Sequence, residues 1–343
     1  SISGLRGTIG DDENSLNPTN LSRFVYAFSL FLIEKYGSTN IAIAVGRDGR
    51  ESGEMFIKIV NDTLSSNGIN VVNIDLNTTP TTQLVIIKKK LQGGIMLTAS
   101  HNPKNWNALK FFNEKGEFLS HKDFNKILKI EKSDIKSNTN LNDQGIIEDF
   151  KGSYDLHINE ILNLKHVNSD IIRKKRFKIV VDGINSSGGI IIPKLLEALN
   201  VEVIKINCIP DGNFAHDPEP LDKNLDQLKE EVLKSNSDLG IAVDPDVDRL
   251  VFVSENGETI SEENTLISCA DYILSKEKGS AVSNLSSSMG LRDVCKMYGV
   301  EYFSSMVGEI NVVEKMKSVN AIIGGEGNGG IIYPESHYGR DAL

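Results

Sequence analysis

The chain has 343 residues, 39% hydrophobic and 24% charged, with a formal net charge of −10. That length exceeds one small core and implies two or three domains, and the acidic balance opposes nonspecific binding to nucleic acid or anionic membranes. Three widely spaced cysteines, Cys208, Cys269 and Cys295, argue against a disulfide framework or a thiolate zinc site. Reduced thiols suit a cytoplasmic protein, and the sequence shows neither a signal pattern nor an apolar run long enough to cross a bilayer.

In chain order, "SISGLRGTIG" opens with a turn that could place Arg6 over an anion. "IAIAVGRD" (41–48) predicts a buried strand and loop, followed by a helix over about 51–67 and a strand in "GINVVNIDL". "FKIVVDGINSSGG" (177–189), "IIPKLLEAL" and "NVEVIKIN" repeat that order, and "SAVSNLSSSMG" (280–290), "LRDVCKMYG" and "VEYFSS" do so again. Three such units predict three related α/β domains, each a mixed β-sheet covered by helices. The polar segment 131–150 reads as a surface connection, and "SENGE" (254–258) as a turn at the next junction. The expected domains are therefore 1–148, 149–255 and 256–343. "HYGRDAL" stops where a helix would start, which predicts that the native chain continues.

Within these units three phrases carry chemistry. In "GGIMLTASHNPKNWNALKFF" (93–112), Ser100 follows an apolar run. It is either part of an ordinary polar turn or a nucleophile displayed at the mouth of a cleft. "LGIAVDPDVDRLVFV" (239–253) sets Asp244, Asp246 and Asp248 at alternate positions between β-like runs. Carboxylates that close repel one another unless a cation sits among them, and oxygen-only ligation suits Mg²⁺. An EF-hand is excluded by Arg249 where its loop needs glycine and by the lack of flanking helices. Arg249 would direct a guanidinium at an anion held there. "NAIIGGEGNGGIIYP" (320–334) satisfies G-x-G-x-x-G, yet a strand and not a helix follows, so a hairpin tip fits better than a dinucleotide turn. Glu326 and Asn328 there supply an acceptor and an amide for hydroxyl groups.

Together these phrases resemble the α-D-phosphohexomutase family in the same order. "SGLRG" resembles its N-terminal signature, "TASHNP" its phosphoserine loop, "DPDVDR" its magnesium loop and "GEGNGG" its sugar-binding loop. The resemblance implies a four-domain protein around a central cleft, of which this chain supplies three domains and lacks the fourth. It implies that Ser100 is phosphorylated and, with Asp244, Asp246 and Asp248, ligates one Mg²⁺ per site. Arg249 would contact the phosphoserine, Lys110 would transfer a proton beside Arg6, and His101 would position the loop. Glu326, Asn328 and Gly308 would bind the sugar.

The implied reaction interconverts hexose or hexosamine 6-phosphate and 1-phosphate through a hexose bisphosphate, which also serves as activator. Asn328 and Gly330 stand where many members carry Ser and His. "GEGNGG", with "NPKNWNALKFFNEKGEFL", looks more like the phosphoglucosamine mutase branch, with the glucose/mannose branch close behind. The expected partner is a small phosphosugar, with no nucleic acid and no membrane. Alternatives are a Mg²⁺-dependent sugar-phosphate phosphatase and a noncatalytic sugar-phosphate-binding protein. A Ser–His hydrolase is disfavoured, because adjacent side chains of an extended segment point apart and no G-x-S-x-G elbow occurs.

Overall fold

The computed structural model describes residues 4–12, 15–38, 40–133 and 144–343. The chain divides into two compact units, Ser1–Tyr154 and Asp155–Leu343. The middle of the segment expected as a connection, 134–143, lies outside the described residues.

The first unit begins with β1 (Leu5–Thr8) and α1 (Pro18–Tyr36). Asn17 caps α1 by accepting from the Asn20 N–H, Pro18 supplies a preset φ, and Gly37 ends the helix in the left-handed region. Leu21, Val25, Phe28 and Leu32 recur at helical spacing and are buried. Phe28 packs on Phe111 with ring centroids 4.8 Å apart. Burying such a side chain contributes about 1.5–3 kcal/mol.

After α1 come β2 (Ile41–Arg47), α2 (Gly53–Ser66), β3 (Ile69–Leu76), α3 (Thr79–Lys89), β4 (Gly93–Leu97), β5 (Trp106–Phe112), α4 (His121–Glu131) and β6 (Ile147–Asp149). The sheet order is β1-β5-β4-β2-β3-β6. Helical cover on a mostly parallel core explains why β2 and β4 read as unbroken apolar runs.

The second unit holds two sheets. Its elements run α5 (Ser153–Leu162, which starts at the seam between the units), α6 (Ser169–Lys175), β7 (Lys178–Asp182), α7 (Gly188–Ala198), β8 (Glu202–Ile206), α8 (Asp226–Ser235), β9 (Leu239–Val243), β10 (Leu250–Ser254) and β11 (Thr259–Ile260). Then follow α9 (Glu262–Lys276), β12 (Ala281–Asn284), α10 (Gly290–Tyr298), β13 (Tyr302–Ser305), α11 (Glu309–Val319), β14 (Ile323–Glu326) and β15 (Gly330–Ile332). The orders are β11-β10-β9-β7-β8 and β13-β12-β14-β15.

All three sheets repeat one pattern. Two parallel pairings join β4-β2-β3, β9-β7-β8 and β14-β12-β13, and an antiparallel partner follows as β5, β10 and β15. The three sequence motifs therefore occupy the same turn of the repeat, between β4, β9 or β14 and the antiparallel partner that follows it. This is the end at which open α/β sheets present ligands, outside the carboxyl ends of parallel strands.

Two expectations need adjustment. "SENGE" closes a hairpin in which Phe252 faces Ile260 and Val253 faces Thr259, so the second sheet runs past the boundary expected at residue 255. No helix begins in "HYGRDAL": Arg340 bridges Ile332, the Asp341 N–H donates to the Ile331 carbonyl at 2.9 Å, and the Ala342 N–H donates to the Val247 carbonyl at 3.3 Å. These bonds hold residues 340–342 extended beside β15 and the carboxylate loop.

Candidate active site

In the first unit, the turn between β4 and β5 carries Ser100 with φ at 51°, a left-handed backbone uncommon outside glycine and asparagine. The residue is 2% exposed. This conformation removes the premise that Ser100 and His101 lie in an extended segment. His101 Nδ1 comes within 3.4 Å of Ser100 Oγ, so adjacency does not separate the two side chains. Arg6 donates to Asn102 Oδ1 at 2.8 Å and thereby ties β1 to the serine turn. It pairs across the ladder with Ala108, which puts it diagonal to Lys110 on one face of the sheet. Lys110 is buried, with Nζ 3.4 Å from Thr79 Oγ1 and 5.9 Å from the Phe118 ring centroid.

In the second unit, the turn between β9 and β10 folds Asp244, Asp246 and Asp248 together. All three are fully buried, and one carboxylate oxygen from each lies within 4.8 Å of the others. Asp244 Oδ1 accepts from the backbone N–H groups of Asp248 and Arg249 at 3.0 and 3.1 Å, which closes the loop on itself. Three carboxylates converging out of water repel one another, and a hard divalent cation is the partner that this all-oxygen donor set fits. Arg249 is held by Glu219, with Nη1 3.1 Å from Oε1. Sequence reading passed over Glu219, which lies 30 residues away from Arg249 in sequence.

The segment that delivers Glu219 is tied down by His216, whose Nε2 meets buried Asp182 Oδ2 at 3.0 Å. Burial alone would lower the His216 pKa, but the hydrogen bond and charge of Asp182 outweigh it and the net shift is upward. A folded value above the unfolded one, about 6.5, makes this pair's stabilisation complete below that pH and lost as pH rises through the folded value. Thermal unfolding at a series of pH values should show the midpoint falling across that window, and His216→Asn should flatten the slope. An unchanged slope in the variant would exclude the pair as its cause.

The turn between β14 and β15 brings Glu326 and Asn328 against the same carboxylate loop. Gly329 has φ at 85°, and its carbonyl accepts from the Leu250 N–H at 3.1 Å. A Cβ at Gly329 would sit 2.6 Å from the Leu250 carbonyl oxygen, so only glycine permits this approach. Glu326 Oε1 accepts from Asn284 Nδ2 at 2.7 Å and from the Gly308 N–H at 3.0 Å. Gly308, expected with the sugar-binding residues, thus touches Glu326 directly.

Arg340, which sequence reading missed, joins the two loops. Its Nη2 donates to Asp248 Oδ2 at 2.8 Å, Nη1 to Glu326 Oε2 at 3.1 Å and Nε to Glu309 Oε2 at 2.9 Å. Burial would lower the pKa of this guanidinium, but Asp248, Glu309 and Glu326 together raise it. Asp248, Glu309 and Glu326 are thereby gathered around one buried cation, and Asp248 also lies 4.0 Å from Arg249 Nε. Ser100, His101, Arg6 and Lys110 belong to the first unit, whereas the carboxylates, Arg249, Gly308, Glu326 and Asn328 belong to the second.

Three repeated α/β domains, with a carboxylate triad buried at one of the repeated turns, form the scaffold of a sugar-phosphate mutase. Family models for phosphoglucomutase/phosphomannomutase alpha/beta/alpha domains I, II and III match residues 2–137, 155–257 and 261–343. The chain belongs to this phosphohexomutase family, as its motifs implied. It is 33% identical to a phosphoglucomutase/phosphomannomutase of Thermococcus kodakarensis, over 98% of this chain and 73% of that protein. It is also 33% identical to a probable phosphoglucosamine mutase of Methanopyrus kandleri, over 98% of this chain and 71% of that protein. The crystal structure of a putative phosphomannomutase from Thermus thermophilus shares the fold with a TM-score of 0.90 at 24% identity. The match covers 100% of this chain and 76% of that one. Among the described residues, no helix is long and apolar enough to cross a membrane.

Proposed function

We propose that the protein interconverts hexose or hexosamine 6-phosphates and 1-phosphates, with Ser100 as the phosphoryl carrier. The observation that carries this reading is the repeated turn: the same corner of three related sheets displays a serine with left-handed backbone, a buried carboxylate triad and a Glu/Asn loop. Family membership supports it. Asp244, Asp246 and Asp248 would hold Mg²⁺, with an oxygen of phosphorylated Ser100 as a further ligand. When bound, the cation offsets the charge of the transferring phosphoryl group.

The remaining steps belong to the chain's own residues. The phosphorus–oxygen bond to Ser100 Oγ breaks as one forms to a sugar hydroxyl, whose proton passes to Lys110 Nζ. His101, whose Nδ1 lies 3.4 Å from Oγ, would position the loop and, when protonated, could give a proton to the departing serine oxygen. Arg249 meets the phosphoryl oxygens, while Glu326 and Asn328 orient the sugar through its hydroxyls. The bisphosphate then presents its other phosphoryl group to Ser100, and the same steps run in reverse. Lys110 can accept a proton only as the neutral amine, and neighbouring Arg6 would favour that form. A glucosamine phosphate is the first choice of substrate and glucose or mannose phosphate the second.

The test is phosphorus NMR of each 6-phosphate incubated with protein, Mg²⁺ and a trace of hexose bisphosphate. The expected result is growth of the 1-phosphate signal, fastest for the hexosamine. Lys110→Met should slow it by about 10²–10⁴-fold, the usual contribution of general acid–base catalysis. Inorganic phosphate without 1-phosphate would favour the phosphatase reading, and unchanged spectra would favour a binding protein.

A further inference from the structure

The turn that displays Ser100 rests on an ion pair to which the reaction above assigns no part. Asp48, just after β2, is fully buried and so is Arg50. Asp48 Oδ2 accepts from Arg50 Nε at 2.9 Å, and Asp48 Oδ1 accepts from the Arg50 backbone N–H at 3.0 Å. The rest of the guanidinium is given to the serine turn. Nη1 donates to the carbonyls of Pro103 at 2.7 Å and Trp106 at 3.0 Å. Nη2 donates to the carbonyls of Asn102 at 2.8 Å and of Ser100 itself. A guanidinium has five N–H groups in a rigid plane, and here each has an acceptor.

The same carboxylate reaches Ser100 by a second route. Thr98 Oγ1 donates to Asp48 Oδ2 at 2.6 Å, and the Ser100 N–H donates to Thr98 Oγ1 at 2.9 Å. An ionised carboxylate cannot donate, so the Thr98 hydroxyl must point at Asp48 and leaves its lone pair for Ser100. Both ends of Ser100, its N–H through Thr98 and its carbonyl through Arg50, are therefore clamped from one buried carboxylate. The clamp holds a residue in the left-handed region that serine ordinarily avoids. It also sets four carbonyl dipoles against a cation, so their partial negative charge is offset near a serine that is to carry a phosphoryl dianion.

We infer that Arg50, seated on Asp48 and acting with Thr98, is a positioning residue that fixes Ser100 for phosphoryl transfer. The inference rests on Ser100 being the phosphoryl carrier. Arg50 touches no reacting atom; it acts through the backbone of the turn. Lysine cannot replace it, because three donors on a flexible stem cannot span four carbonyls and a carboxylate.

The experiment measures phosphoryl uptake by Ser100 from a hexose bisphosphate by quenched-flow mass analysis, in the native protein, Arg50→Lys and Thr98→Val. The KM for sugar phosphate and the loss of phosphate from phosphoserine to water are measured alongside. With thermal transitions retained, both variants should charge Ser100 more slowly, by about 10²-fold for a reacting atom displaced by an ångström. KM should stay near the native value, and phosphoserine should hydrolyse faster as the turn loosens. Thr98→Val, nearly isosteric, decides the matter if Arg50→Lys does not fold. Variants that fold and charge Ser100 at the native rate would overturn the inference and leave Arg50 a purely structural residue. A native protein that never charges Ser100 would overturn the carrier reading, and the inference with it.

Discussion

Ser100→Ala is expected to take up no phosphoryl group and to lose turnover by on the order of 10⁴-fold or more, as removal of a covalent nucleophile does, while keeping its fold. Alanine carries the same Cβ, so the left-handed backbone at position 100 costs the variant no more than it costs serine. The clamp on this residue acts through its N–H and carbonyl, which the substitution leaves in place. The unfolding midpoint should therefore hold and sugar-phosphate affinity should persist. Rate measurements paired with calorimetric titration of a sugar phosphate check both halves. Native turnover in Ser100→Ala would exclude a phosphoserine route; lost affinity would assign the serine to binding.

Metal addition is expected to raise the thermal midpoint of the native protein, and chelation to abolish its turnover. Asp244, Asp246 and Asp248 are fully buried within 4.8 Å of one another; Arg340 and Arg249 approach the triad at Asp248, and a divalent cation would offset the repulsion that remains among three carboxylates. At about 100-fold above the dissociation constant, a ligand bound only by the folded state adds ~2.7 kcal/mol. For a unit the size of Asp155–Leu343 this corresponds to roughly 5–10 °C. Asp246→Asn should separate stability from function. Removing one charge relieves the repulsion, so the metal-free variant should be at least as stable as the native protein, yet its midpoint should respond far less to Mg²⁺. Scanning calorimetry with and without the cation reads both. A native midpoint indifferent to divalent cations would contradict a metal centre here.

Much of the fold was legible because its core strands are unbroken apolar runs. "IAIAVGR", "KIVVD" and "LGIAV" announce strands covered on both faces, and the helical patterns between them fixed the repeat. The chemistry was legible where unusual residues stand close in sequence, as in "DPDVDR" and "TASHNP". What stayed hidden depends on partners far apart in the chain. Arg340 meets Asp248 across 92 residues, and Arg50 meets the Ser100 carbonyl across 50. Nothing in "GRDGRESG" distinguishes an arginine bound for solvent from one that gathers four carbonyls. The left-handed turn at Ser100 was equally silent, and the extended geometry assumed for Ser100 and His101 failed on it. "HYGRDAL" looked like a helix start because its residues permit one. The acid cluster around Arg340 and the donors taken by Ile331 and Val247 pull it into the sheet instead.

The central claim is that Ser100 carries the phosphoryl group between sugar positions. Its most direct test is intact mass with phosphopeptide mapping of the protein after incubation with Mg²⁺ and a hexose bisphosphate. A single stable phosphoryl group on Ser100 is the predicted result. An unmodified Ser100 with inorganic phosphate accumulating in solution would contradict it and make the protein a phosphatase on a mutase scaffold.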